Sequence, residues 1–73
     1  MVKSIHTKEY AYFVDRLRKA RMEAGLTQSQ VAKKLKRPQS HISNIESGQQ
    51  RVDVVELQIF AKIYNKEVGY FVK

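Results

Sequence analysis

Four short polar residues are spaced so that one face of a helix would present them together: Gln39, Ser40, Ser43 and Asn44. Their amide and hydroxyl groups can both donate and accept hydrogen bonds. The base edges in the major groove of DNA offer the complementary donors and acceptors. A merely solvated helix face is the simpler interpretation, but such a face would more often carry Lys and Glu. The scarcity of charge on this face therefore favours contact with bases.

Apolar residues around this polar face predict two short helices joined by a tight turn. Val31 and Leu35 form an inward stripe on the first of them, and Ile42 and Ile45 form a facing stripe on the second. Ala32 is small at the point where the two helices must nearly touch. This spacing is typical of a helix-turn-helix.

Local signals predict where these two helices begin and end. Thr27 and Gln30 match a capping box, which begins a helix over residues 28–35. Pro38 suits the first position of the next helix, because its missing N–H would have been unpaired there, and that helix begins at Pro38 or Gln39. Gly48 ends that helix at about residue 47, since glycine adopts the left-handed conformation without a Cβ penalty.

Two further helices are predicted on either side of this pair. Thr7 is a plausible N-cap for a helix that reaches about residue 24 and stops at Gly25. Asp53 and Glu56 resemble a cap for a helix that reaches about Tyr64. Both helices carry apolar residues at helical spacing: Tyr10, Phe13, Val14, Leu17 and Ala20 in the first, and Val54, Leu57, Phe60, Ala61 and Tyr64 in the second.

The ends of the chain complete an all-α prediction. Residues 67–72 are interpreted as a short fifth helix or turn, and residues 1–6, which lack periodicity, as an N-terminal arm. We therefore expect a compact five-helix fold that forms a single domain over residues 1–73.

Composition limits the classes of function. The chain has 73 residues and a formal net charge of +7, so polyanions are the expected partners. It has no cysteine, and its two histidines are far apart in the sequence, so we expect no metal site and no cofactor. No apolar run approaches the roughly 20 residues of a membrane span. We expect the protein in the cytoplasm or on the nucleoid, with no membrane partner.

An enzyme is not expected from these residues. Ser40 and His41 are neighbours on one helix and cannot face each other, so they cannot form a nucleophile and base pair. No glycine-rich phosphate-binding loop is present.

Several motifs together resemble the phage-repressor type of helix-turn-helix, the XRE family of lambda-like repressors, Cro and many bacterial regulators. The segments that carry the resemblance are Leu26-Thr27-Gln28, Val31-Ala32, Gln39-Ser40-His41-Ile42-Ser43 and Ile45-Glu46-Ser47-Gly48. The resemblance covers about residues 13–71. It departs at Lys36, where the family commonly has glycine, and a lysine there either takes left-handed strain or shifts the turn.

The resemblance implies a role for individual residues. Base contacts fall on Gln39, Ser40 and Asn44. Phosphate contacts fall on Gln28, at the positive end of the second helix, and on Arg51, while Ser43 reaches phosphate or the groove wall. Arg37, in the basic run beside the turn, is a further predicted phosphate contact. Arg21 and Glu46 are implied to form a partly buried ion pair between the first and third helices.

A dense apolar cluster near the C-terminus predicts more than a core. It consists of Tyr64, Val68, Tyr70, Phe71 and Val72. Relatives close the domain with this region, but the cluster exceeds what one small core can hold. We therefore predict a homodimer interface formed by Val68, Tyr70, Phe71 and Val72.

These inferences predict a sequence-specific, DNA-binding transcriptional regulator, with repression by promoter occupancy the simplest mode. It would bind double-stranded DNA as a homodimer on an inverted-repeat operator. A restriction-modification controller is one specific role that fits a domain of this size. The alternative is an antitoxin that binds a toxin and represses its own operon, although antitoxins usually carry an extra segment for the toxin. A toxin or polymerase partner stays open.

Overall fold

Four α-helices and one 3₁₀ turn form the part of the chain that the structure, a computed structural model, describes, which is residues 7–72. The elements in chain order are α1 (Lys8–Glu23), α2 (Gln28–Leu35), α3 (Gln39–Glu46), α4 (Val54–Tyr64) and the 3₁₀ turn (Val68–Tyr70). Residues 7–72 contain no β-strand, as the all-α prediction required. The arm predicted at residues 1–6 lies outside the described residues.

The five-helix prediction is wrong, because the segment interpreted as a fifth helix or a turn forms a turn. Residues 67–72 form only the three-residue 3₁₀ turn. Nucleating an α-helix is costly, and Gly69 in the middle of this short segment lowers its helix propensity further. The segment therefore makes a single turn that carries Phe71 into the core.

Side-chain caps begin three of the four helices. Thr7, Thr27 and Asp53 each accept a hydrogen bond from the backbone N–H three residues later, at 2.8–3.1 Å. Thr27 and Gln30 form the complete capping box. Pro38 is the N-cap of α3, so the helix begins at Gln39, one of the two predicted starts, and α3 has no side-chain cap.

All four helices end on the same backbone motif. A residue in the left-handed region follows each helix: Gly25, Lys36, Gly48 and Asn65, with φ of 72°, 58°, 84° and 57°. The next residue then donates its N–H to the carbonyl five residues back, at 2.9–3.2 Å. This is the Schellman arrangement, which satisfies carbonyls that the helix end leaves unpaired.

The core lies between α1, the α2–α3 pair and α4. Its largest fully buried side chains are Phe60, Phe71, Leu17, Ile42, Ile45 and Val31. The helix-turn-helix therefore docks through aliphatic groups onto α1 and α4, which hold it as one rigid unit.

Phe71 corrects one of the interface predictions. Its side chain is 0% exposed within its own chain, where it meets the Tyr70 ring edge-on at 5.2 Å. The 3₁₀ turn rotates Phe71 inward while Val68 and Val72 stay 37% and 46% exposed. Phe71 is therefore a core residue and is not available to a partner.

Tyr70 is held against α1 of its own chain. Arg16 Nε donates to the Tyr70 carbonyl at 2.9 Å, and the Arg16 guanidinium lies 3.8 Å from the Tyr70 ring centroid. The Lys66 ammonium lies 4.5 Å from the same centroid. These cation–π contacts tie the C-terminal turn to α1 and leave Tyr70 only partly accessible.

Candidate nucleic-acid interface

The aliphatic contact between α2 and α3 turns the polar face of α3 outward. Val31, Ile42 and Ile45 are at most 1% exposed. Gln39, Ser40 and Ser43 are exposed, and Asn44 is half-buried. The interior side of α3 is thus apolar, and its outer side offers uncharged donors and acceptors. Such a surface is chemically suited to base edges.

An ion pair fixes the end of α3 to the end of α1. Arg21 Nε donates to Glu46 Oε2 at 2.7 Å, and Arg21 Nη2 donates to Glu46 Oε1 at 3.0 Å. Arg21 Nη1 also donates to the Leu26 carbonyl at 3.0 Å. The two side chains are only 14% and 6% exposed, and the hydrogen bonds to Glu46 raise the pKa of Arg21. The pairing that the resemblance implied is thus present as a two-pronged contact.

Gln28 joins the same network. Its Nε2 donates to Glu46 Oε1 at 3.1 Å. The amide nitrogen carries a second hydrogen, which this bond does not use. The network therefore sets the orientation of the Gln28 amide at the start of α2, where the helix dipole favours an anion.

Tyr64 of α4 lies beside this ion pair. Burial of its phenol, and to a smaller extent the charge on Glu46, raise the pKa of Tyr64 strongly, while Arg21 opposes the shift. Tyr64 is 3% exposed, so its ring shields this side of the ion pair from water.

Positive charge is concentrated at the turn that leads into α3. Residues 24–45 contain no Asp or Glu. Lys33, Lys34, Lys36 and Arg37 are all exposed there and make no ion pair within residues 7–72. Some cations elsewhere are paired with carboxylates, as Lys19 is with Asp15 at 3.2 Å and Lys66 is with Glu23 at 2.8 Å. The net positive field therefore lies beside the polar face of α3.

Comparison with known proteins agrees with this geometry. The helix-turn-helix family model matches residues 17–71. A solved structure, an XRE-family like protein from Pseudomonas syringae pv. tomato str. DC3000, superimposes with a TM-score of 0.79 at 35% identity and covers 86% of this chain and 77% of its own. This chain belongs to the XRE family of helix-turn-helix proteins. Among curated proteins nothing matches it.

The XRE-family fold is that of DNA-binding transcriptional regulators. The resemblance noted in the sequence is thereby confirmed at the level of family and fold. Within residues 7–72, no helix combines the length and the apolar character needed to cross a bilayer.

The residues expected to meet phosphate lie at four places in this XRE-family domain. Gln28 begins α2, Arg37 lies in the α2–α3 turn, and Ser43 is exposed in the middle of α3. Arg51 lies in the loop before α4, with its guanidinium 4.6 Å from the Tyr10 ring centroid. The ring therefore supports Arg51 from the side of α1.

His41 anchors α3 from its inward side, through partners that the sequence analysis did not predict. It is 7% exposed, with Nε2 2.7 Å from Glu56 Oε2 and Nδ1 3.0 Å from Gln50 Nε2. Because the Gln50 amide donates to Nδ1, the ring donates from Nε2 to the carboxylate. The available signal was its position four residues before Ile45, on the inward face of the helix. His41 is therefore a buried residue whose two ring nitrogens both have hydrogen-bond partners, and it ties α3 to α4.

Proposed function

We propose that this chain is a sequence-specific transcriptional regulator that reads the major groove with α3. Gln39 and Ser40 in the first turn of α3, with Asn44 one turn later, contact base edges. The single observation that carries this proposal is the exposed, uncharged face of α3 beside an unneutralised basic turn. Charge attracts the duplex without selecting a sequence, and the amides and hydroxyl supply the selection.

Phosphate contacts orient the domain on the duplex. Gln28 donates its second amide hydrogen, and Ser43 donates its hydroxyl from the edge of the α3 face. Arg37 and Arg51 approach from the turn and from the loop before α4. These four contacts flank the recognition helix and hold it in one register.

Replacing Gln39 by Ala should change which base is preferred at particular operator positions. An amide that bonds a base edge contributes about 1–3 kcal/mol of discrimination. We expect selection from random DNA at moderate salt to enrich an inverted repeat for the wild type, and the variant to lose preference at one base pair in each half-site. Gln58→Ala, on the exposed side of α4, is the matched control and should leave the motif unchanged. Absence of any enriched motif for the wild type would refute the proposal.

We propose that Val68 and Val72 form the dimer interface. This interface does not include the buried Phe71, and Tyr70 lies at its edge. Val72 and Val54 line one shallow apolar depression with Phe13 and Leu57. Val54 is 65% exposed and Val72 is 46% exposed, so the two valines leave apolar surface at the mouth of this depression. In a dimer whose two recognition helices enter successive major grooves, the helices lie about 34 Å apart, which requires an inverted-repeat operator.

Val72→Asp should weaken self-association. A charge placed in an apolar contact costs at least about 2 kcal/mol, or roughly 30-fold in the dimer Kd. Sedimentation at several protein concentrations would measure this change. Met22→Asp, at a similarly exposed position on α1, should leave association unchanged. Equal association of both variants and the wild type would rule out this surface.

A restriction-modification controller and an autorepressing antitoxin stay narrower predictions within this proposal. Purification from the native host separates them. A stoichiometric small partner protein would favour the antitoxin, and a self-associated dimer alone would favour the regulator.

A further inference from the structure

The four helices end on the same backbone motif, and at one of them the left-handed position holds a residue type that is poorly suited to that conformation. Three of the left-handed positions hold Gly25, Gly48 and Asn65, which are the residue types that tolerate this conformation. The fourth holds Lys36, with φ of 58° and ψ of 45°. At such angles the Cβ of an ordinary L-residue approaches the following carbonyl oxygen, which destabilises the fold relative to glycine.

The local structure does not require a lysine at this position. A cation near a helix C-terminus is favoured by the helix dipole, but Lys33 and Lys34 already supply charge to the last turn of α2. The Lys36 ammonium makes no ion pair within residues 7–72. The charge therefore has no counterpart in the described fold that would offset the strain.

The position of Lys36 indicates what the charge is for. Lys36 is exposed and precedes Gln39, the first residue of α3, by three residues. The adjacent Arg37 is also cationic, and no carboxylate occurs between residues 24 and 45. A duplex that receives the first turn of α3 in its major groove brings a phosphate strand close to this turn. Backbone strain is commonly retained at positions where function requires it.

We propose that Lys36 is a DNA-phosphate ligand at the rim of the recognition helix, and that the domain keeps it at the expense of folding stability. This inference rests on the proposed function and adds a contact to it. Lys36 reads no base, so it contributes to affinity for every sequence rather than to the choice among sequences.

Opposite effects on folding and on DNA binding are expected from Lys36→Gly. The melting temperature should rise by about 4 °C, because the left-handed strain is removed. The salt dependence of binding to the selected operator should lose about 0.9 from its logarithmic slope per chain bound, which corresponds to about eightfold weaker affinity at 0.1 M salt. Calorimetry and fluorescence-anisotropy titrations at several salt concentrations would measure the two effects.

Three matched variants separate charge from backbone. Lys36→Asn removes the charge with a residue that tolerates the left-handed region, so it should bind like Lys36→Gly. Lys36→Arg should bind within about twofold of the wild type. Lys62→Gln removes an equal charge from exposed α4 and should leave the operator affinity nearly unchanged.

The outcomes distinguish this inference from the proposed function. If the wild type shows no sequence preference, the proposed function fails. If the wild type binds its operator and Lys36→Gly binds with the same slope and affinity, the inference about Lys36 fails alone. If only the glycine variant loses affinity while Lys36→Asn keeps it, flexibility of the turn is responsible and the charge is not. A lower melting temperature for Lys36→Gly would refute the inference that the left-handed conformation of Lys36 destabilises the fold.

Discussion

Replacing Arg21 by Met should destabilise the domain by about 3–5 kcal/mol. The substitution leaves Glu46, whose side chain is 6% exposed, as a buried carboxylate without its guanidinium partner. Gln28 Nε2 would be the remaining side-chain donor, since Arg21 supplies the other two hydrogen bonds. A domain of this size is stable by only about 5–10 kcal/mol in total, so the variant should be partly unfolded at 37 °C.

Urea denaturation would measure the effect of Arg21→Met, with two controls. Arg18→Met removes a cation that pairs with Asp15 on the exposed side of α1, where both side chains are more than a third exposed, and should change stability little. The double variant Arg21→Met with Glu46→Met replaces the pair by apolar groups and should recover much of the loss. If Arg21→Met were no more destabilising than Arg18→Met, the pair would not hold α1 to α3.

The same pair should matter for DNA binding beyond stability. Glu46 receives Gln28 Nε2, so its loss would free the amide proposed to meet phosphate. We expect the stability-restored double variant still to bind its operator more weakly than the wild type. Weaker binding by the stable double variant would show that Glu46 orients Gln28 for DNA binding and does not only stabilise the fold.

Phe71→Ala should also cost about 3–5 kcal/mol, because it empties a site that is completely buried. The aromatic side chain fills the space beside α4 that the 3₁₀ turn closes, and a three-residue turn has few other contacts with which to hold its place. The variant should unfold at much lower denaturant concentration than the wild type.

Val72→Ala is the matched control for Phe71→Ala, since the neighbouring valine is 46% exposed and its truncation should have a small effect on unfolding. Sedimentation of the two variants separates the core from the interface. A core residue lowers stability at every protein concentration, whereas a residue that acts only through a dimer does so mainly where the dimer forms. If the Phe71→Ala variant kept wild-type stability and only failed to dimerise, Phe71 would be an interface residue and not a core residue.

The helices themselves were predictable because their signals are local. Thr27 with Gln30, Asp53, Gly25 and Gly48 each act on the backbone within a few residues of themselves. The apolar stripes repeat at helical spacing, and this indicates which side of each helix faces inward. The family followed from the same motifs, and the polar face of α3 followed from the spacing of its apolar residues.

Other features depend on residues that are distant in the sequence. His41 meets Glu56, and Arg16 holds the Tyr70 carbonyl across a separation of 54 residues. A side chain forms such a contact only after the helices have packed, and neither partner carries a local mark of the other. The inward rotation of Phe71 likewise arises from the docking of the C-terminal turn against α4 and against Arg16 of α1.

The sequence by itself therefore determined the family, the bounds of the four α-helices to about one residue and the candidate DNA-reading face, because caps, glycines and apolar periodicity act over one or two turns. Only the tertiary structure decided that Phe71 is core, that Gln28 is oriented by Glu46, and that Lys36 occupies a strained position which glycine or asparagine occupies at the other helix ends. The physical reason is that a side chain becomes buried or paired only when the helices pack together. Composition alone predicts which apolar residues are buried only where a single core has room for all of them.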